Sequence, residues 1–152
     1  MTWEIRFQSR YRYAASEPPS PALMVRVRLD GKEVRLLANV DTGCSEVLFK
    51  GEELEPLGWQ PLPEGDPRRK TFSGAAKDVD VSSSPVTLSL ALPDGEEFEL
   101  EAFVADQNTL RRNLLGRGLL RRAIIAIDDE RTDIYLSSLR SISRDELIRD
   151  VD

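Results

Sequence analysis

The sequence predicts an all-β fold on three observations: two runs of alternating apolar and polar residues, each closing at a turn, and a proline-rich connection between them that reads as loop. In the first run, MVRVRLDGKEVRLLANV, Val25, Val27 and Leu29 alternate with arginines up to an Asp30-Gly31 turn, the pattern of a β-hairpin. The second is VTLSLALPDGEEFELEAFV, where Val86, Leu88, Leu90 and Leu92 share one face, Pro93-Asp94-Gly95 turns the chain, and Phe98 and Leu100 return. Each hairpin leads within a few residues to a glycine-containing segment with apolar flanks, VDTG after the first and NLLGRGLL after the second. That is either an internal pseudo-repeat or a generic meander.

The connection GEELEPLGWQPLPEGDP holds four of the nine prolines and is expected to cross the surface without regular structure. RRKTFSGAAKDVDVSSS follows, with a small, flexible centre at Ser73-Gly74-Ala75 between two stretches able to pair, so it reads as a projecting hairpin. Residues 16–21, SEPPSP, set off an N-terminal extension over residues 1–15, which either adds an edge strand or remains mobile. A single compact domain is expected over residues 22–128, followed by a C-terminal extension over 129–152. In that extension TDIYLS reads as a strand, and SRDELIRDVD as a short helix with Ser143 and Glu146 spaced as a capping box.

Composition narrows the function classes. A chain of 152 residues with 40% hydrophobic residues is long enough for one core. Its formal net charge of −6 and pI near 4.9 argue against a nucleic-acid partner, which usually meets a basic face. The pairs Arg68-Arg69, Arg111-Arg112 and Arg121-Arg122 read as solvated surface. Cys44 is the only cysteine and there is no histidine, so neither a His/Cys zinc site nor a histidine-based triad is available, and no metal or cofactor is expected. The opening MTWEIRFQSRYRY lacks the apolar core of a signal peptide, and no stretch has the length of a membrane span. No membrane partner is expected, and a cytoplasmic, reducing setting fits best.

VDTGCS, KTFSGAAKDVDV and NLLGRGLL, in that order, resemble the active-site loop, the flap and the apolar-apolar-glycine segment of the retropepsin-like aspartic proteases, the single-domain relatives of the pepsins. The resemblance spans roughly residues 23–128. An Asp-Thr-Gly triplet alone is expected by chance roughly 0.03 times in a chain of this length, so three motifs in order weigh more than one. The resemblance implies a closed barrel of hairpins with one short helix after Gly116. It also implies a homodimer, and an aspartic endopeptidase acting on a peptide or protein substrate.

The chemistry of the residues agrees with that family. Hydrolysing an amide without a metal or covalent nucleophile takes one group to accept a proton from water and another to donate one to the carbonyl, and two carboxylates sharing one proton do both. Only one Asp-Thr-Gly is present, so the partner of Asp41 would be Asp41 of a second copy across a two-fold axis. Gly43 suits a sharp loop whose N–H groups approach the carboxylate, and the resemblance gives Thr42 an interlocking role across the axis. A plain Asx-turn at Asp41 and Thr42 is the alternative.

Ser45, Phe72, Ser73 and Gly74 are the candidate substrate-binding residues. The last three stand either at a flap tip that excludes water or in an ordinary exposed turn. Cys44 has no histidine to activate it and reads as a small packed side chain. Arg117, Glu46 and Gly116 are candidate structural supports.

Four features depart from the family pattern. Arg117 finds Ser45 where many relatives carry its acidic partner, leaving Glu46 as the nearest substitute. The flap holds a single glycine, Asn39 puts an amide in the apolar approach to Asp41, and about two dozen residues follow AIIAID. The alternatives to an endopeptidase are a catalytically inactive dimeric binding module on the same fold and an unrelated β-rich interaction domain.

Overall fold

Val25 and Val27 are fully buried while Arg28 is exposed, so the alternation in the sequence marks the two faces of a strand. The computed structural model describes residues 2–16, 18–76, 79–93, 95–139 and 144–150. In chain order the elements are β1 (Trp3–Ile5), β2 (Ser9–Arg12), β3 (Ala22–Leu29), β4 (Lys32–Val40), β5 (Val47–Lys50), helix α1 (Gly51–Leu54), a 3-10 turn (Glu55–Leu57), β6 (Lys70–Ala76) and β7 (Val79–Ala91). There follow β8 (Glu97–Ala105), β9 (Asn113–Leu115), helix α2 (Arg117–Leu120), β10 (Ala123–Asp128), β11 (Asp133–Ser138), helix α3 (Arg144–Leu147) and β12 (Ile148–Asp150).

Both predicted hairpins form. In β3–β4, Leu29 faces Lys32 across Asp30 and Gly31, whose φ angles of 50° and 78° give the left-handed pair that a two-residue turn needs. In β7–β8, Ala91 faces Glu97, and the turn is closed by the Leu92 N–H donating to the Glu96 carbonyl at 2.7 Å and the Gly95 N–H donating to the Leu92 carbonyl at 2.9 Å. Asp94, the centre of the predicted turn, lies outside the described residues.

Strand order closes the barrel. The large sheet runs β3-β4-β9-β5-β8-β7-β6, and β3 also pairs with β7, so six strands form a ring from which β6 projects as an edge. Its interior is filled by Val25, Val27, Leu36, Phe49, Leu90 and Phe98, with Leu54, Leu57 and Trp59 closing one side. The ring has a pseudo-two-fold order. Each hairpin's second strand pairs in parallel with the short strand that follows the other hairpin, β4 with β9 and β8 with β5, and those two short strands meet antiparallel in the middle. A pseudo-repeat, not a simple meander, is the outcome.

The connection after β5 differs from expectation. It begins with α1 and the 3-10 turn, a one-turn piece too short to leave a periodic signal. Its far end is fixed by Arg69, whose guanidinium donates to the Leu62 carbonyl at 2.8 Å, to Ser82 Oγ at 2.6 Å and to Asp106 Oδ2 at 2.6 Å. Arg69 is therefore a half-buried tie, not the solvated residue expected, while its neighbour Arg68 pairs with Asp66.

At the N-terminus β2 adds an edge strand to β11, forming the sheet β10-β11-β2, and Tyr11, Ile134 and Leu136 pack into the main core. Ser137 Oγ accepts from the Gln8 N–H at 2.8 Å and donates to the Arg6 carbonyl at 3.1 Å, while β1 pairs with β12. The predicted C-terminal helix is the four-residue α3, and its expected cap Ser143 lies outside the described residues. Among the described residues no helix is long and apolar enough to cross a membrane.

Candidate active site

Strand β4 ends at Val40, level with Leu115 of β9, and the chain then loops through residues 41–46 around the end of β9 to enter β5. Backbone contacts hold that loop on both sides. The Asp41 N–H donates to the Leu115 carbonyl at 3.1 Å, the Gly116 N–H to the Glu46 carbonyl at 3.1 Å and the Arg117 N–H to the Cys44 carbonyl at 2.8 Å. A Cβ at position 116 would sit 2.2 Å from the Glu46 oxygen and 2.4 Å from the Cys44 oxygen, so Gly116 is required for space and not for its φ of −90°. This is the physical content of the glycine in NLLGRGLL.

Asp41 is half-buried, and its Oδ1 accepts from the Gly43 N–H at 2.9 Å. Among the described residues its carboxylate has no cationic partner. Thr42 and Gly43 are exposed at the apex, and the Thr42 hydroxyl makes no hydrogen bond within the described chain. Cys44 turns inward, and burial pushes its thiol above the usual value, against a backbone hydrogen bond from Glu46 that acts the other way. A protonated, packed thiol fits the reading of Cys44 as a small side chain.

An open cleft of about 420 Å³ lies over Asp41, bounded by Ser45, Phe72, Ser73, Gly74 and Arg117. The candidate loop, flap and substrate-binding residues thus line one space. Phe72 is not at the tip, however. It faces Val81 across the β6–β7 pair, the closing pair is Ala76 with Val79, and the turn itself lies outside the described residues. Gly74, with φ of 77°, sits where the register shifts, so the glycine marks a bulge instead of the turn. The Phe72 ring is buried edge-on to Phe103, 5.6 Å between centroids, in a second core cluster with Cys44, Leu48 and Leu114. Strand β6 is thereby anchored to the barrel beneath it.

Glu46 finds partners other than Arg117. Its carboxylate contacts Arg121 at 3.3 Å and Lys70 at 3.5 Å, and Arg121 also donates to the Ser45 carbonyl at 3.3 Å. Arg117 is exposed, and its guanidinium makes no hydrogen bond or ion pair among the described residues. The expected brace is corrected by one helical turn, because Gly116 packed on the loop aims residue 117 into the cleft and brings residue 121 back over Glu46.

Asn113 was missed by sequence reasoning. It is 2% exposed, accepts from the Lys50 N–H at 2.8 Å, and donates to the Leu37 carbonyl at 2.9 Å and to Glu53. One amide so pins β9 to β4 and to the β5–α1 junction. The only available signal was a polar residue beside an otherwise apolar run. Asn39, flagged in the sequence, points away from the cleft to Ser20 Oγ at 3.0 Å. No three His, Cys, Asp or Glu side chains converge to hold a metal among the described residues.

A six-stranded ring with a crossed, glycine-supported loop at its centre defines a retropepsin-like fold. Among solved structures, the chain is similar to a retropepsin-like aspartic protease from Rickettsia conorii, with a TM-score of 0.57 and 21% identity over 90% of this chain and 95% of that one. It also matches the retroviral protease-like domain of Ddi1 from Leishmania major, with a TM-score of 0.49 and 14% identity over 80% and 97%. A third match is the EIAV protease complexed with the inhibitor HBY-793, with a TM-score of 0.47 and 17% identity over 71% and 91%. No protein-family model matches the sequence, and no curated protein does. The likeness to the Rickettsia conorii structure, at 21% identity, establishes the fold alone.

Proposed function

We propose that this protein is a homodimeric aspartic endopeptidase, acting in a reducing, cytoplasmic compartment on extended segments of protein substrates. The observation that carries the reading is Asp41 itself: a half-buried carboxylate, held through one oxygen by the Gly43 N–H, without a cation partner among the described residues, under a β-strand roof. A carboxylate held there for structure alone would be expected to have its charge compensated.

One Asp41 per chain means that a second copy supplies the other carboxylate. Two such groups held close share a single proton, since both cannot ionise easily. The ionised one takes a proton from water as the hydroxide attacks the peptide carbonyl carbon, and the protonated one gives its proton to the carbonyl oxygen. A tetrahedral diol results. The first carboxyl then protonates the amide nitrogen, the second recovers a proton from a diol hydroxyl, and the C–N bond breaks to leave an acid, an amine and a dyad holding one proton. Thr42, exposed at the apex with a hydroxyl that has no partner among the described residues, suits contact with a second loop across the axis. The Phe72 anchor favours a second reading, a dimeric binding module, because it ties the flap down on its own subunit.

Dilution separates these readings. Specific activity on an unstructured protein should fall as dimers dissociate, and excess Asp41→Asn chains should suppress it further because each mixed dimer holds one carboxylate. Full specific activity in a sample that sediments as monomer refutes the shared dyad. Peptide binding by a dimer that never turns over favours the module.

A further inference from the structure

We infer that Arg117 selects substrates with a carboxylate near the scissile bond, either an Asp or Glu side chain or a free C-terminal α-carboxylate; this rests on the protease reading above. Among the described residues the cleft lining holds two cations, Lys70 and Arg117, and one acid, Asp41, in a chain whose formal net charge is −6. Of those two cations, Arg117 is the one that no described acid compensates. Lys70 Nζ lies 3.5 Å from Glu46 and 5.0 and 5.1 Å from the centroids of the Phe72 and Phe103 rings. Glu46, the acid expected to serve Arg117, is already engaged by Arg121 and Lys70.

The backbone of Arg117 is fixed while its side chain makes no hydrogen bond or ion pair among the described residues. Its N–H is bound to the Cys44 carbonyl at 2.8 Å, its carbonyl accepts from the Arg121 N–H at 3.0 Å, and Gly116 before it has no room to move. A solvated arginine on an outer face would carry no meaning. This one borders the same cleft as Asp41, and a planar guanidinium there offers two parallel N–H bonds to an incoming carboxylate. An extended peptide presents alternate side chains to opposite faces, so such a group reads one substrate position and spares its immediate neighbours.

The test uses peptides of one sequence carrying Glu, Gln or Lys at each position around the cleaved bond in turn, each with a free or an amidated C-terminus. Cleavage is measured with the parent, with Arg117→Gln and with Arg117→Glu, and binding with Asp41→Asn chains with and without Arg117→Gln. A preference for Glu over Gln of about ten-fold at one position is expected, weaker at high salt, falling to near one in Arg117→Gln and turning toward Lys in Arg117→Glu. If the free terminus is what is read, the same loss appears between the acid and amide peptides. A Glu-to-Gln ratio near one in the parent, or one that Arg117→Gln leaves unmoved, overturns the inference. Failure of the protease reading looks different: no cleavage by the parent, while the binding arm still registers the Glu preference.

Discussion

The two ends of the barrel's pseudo-two-fold carry the same backbone plan and different chemistry. At one end Asp41 follows β4 and Gly116 follows its parallel neighbour β9, with Val40 level with Leu115. At the other, Asp106 follows β8 and Gly51 follows β5, with Ala105 level with Lys50. Both glycines are buried and open a one-turn helix, and a Cβ on Gly51 would stand 2.3 Å from the Ala105 oxygen, as one on Gly116 would crowd Glu46. Both aspartates are half-buried. They differ in what reaches them. Asp106 is held by the Arg69 guanidinium at 2.6 Å, whereas among the described residues the Asp41 carboxylate receives only the N–H of Gly43 in its own loop. A strand end followed by aspartate is therefore not by itself a candidate site; what sets Asp41 apart is that no counter-cation reaches it among the described residues.

The helices following the two glycines repeat the contrast. On α1 and just beyond it, Glu52 and Glu55 accept from the Asn108 N–H at 2.7 Å and from Gln107 at 3.0 Å, locking the loop after Asp106. Just after α2, Arg121 locks the loop after Asp41 through Glu46, while Arg117, which opens the helix, borders the cleft.

The largest expected effect separates the two aspartates. Asp41→Asn should lower peptide turnover by about a thousand-fold, roughly 4 kcal/mol of barrier, at nearly unchanged melting temperature, since the amide oxygen still accepts from Gly43. Asp106→Asn should do the reverse, losing about 2 kcal/mol of stability by leaving Arg69 without its charge, a cost moderated by the partial exposure of Asp106. Equal melting of the two variants would break the comparison. Gly116→Ala should follow at about 3 kcal/mol, because the overlap is with backbone oxygens that no rotamer change relieves, and denaturant titration reads it directly. Arg121→Gln is the smallest, below about 1 kcal/mol, since Glu46 keeps Lys70 and the arginine end of the pair is exposed. An Arg117→Gln chain that melts lower than Arg121→Gln would return the brace to residue 117.

Local signals were legible and remote ones were not. The hairpins could be read because alternation needs only neighbouring residues, as Val25 and Val27 show, and the Asp-Thr-Gly loop because its turn is made by its own residues. Arg117 opens the short helix α2 and Arg121 caps its end, four residues later, so nothing local distinguishes them; their roles depend on how Gly116 seats against a segment far away in the chain. Phe72 was misplaced for a related reason. A lone glycine marks both turns and bulges, and only cross-strand register distinguishes them. Arg69 looked like solvated surface because its acceptors, Leu62, Ser82 and Asp106, come from three separate segments.

The clamp at Asn113 has a consequence for how the molecule is made. Its amide joins Leu37 to a residue 76 positions later, and the Asp41 loop closes on the same short strand. The first hairpin can form as soon as it leaves the ribosome, but the cradle around its carboxylate waits for the second hairpin and β9, the slow, non-local part of the topology. A nascent chain therefore carries Asp41 long before it carries the residues that seat it, so the geometry of the Asp41 loop belongs to the finished barrel and not to the first hairpin that emerges.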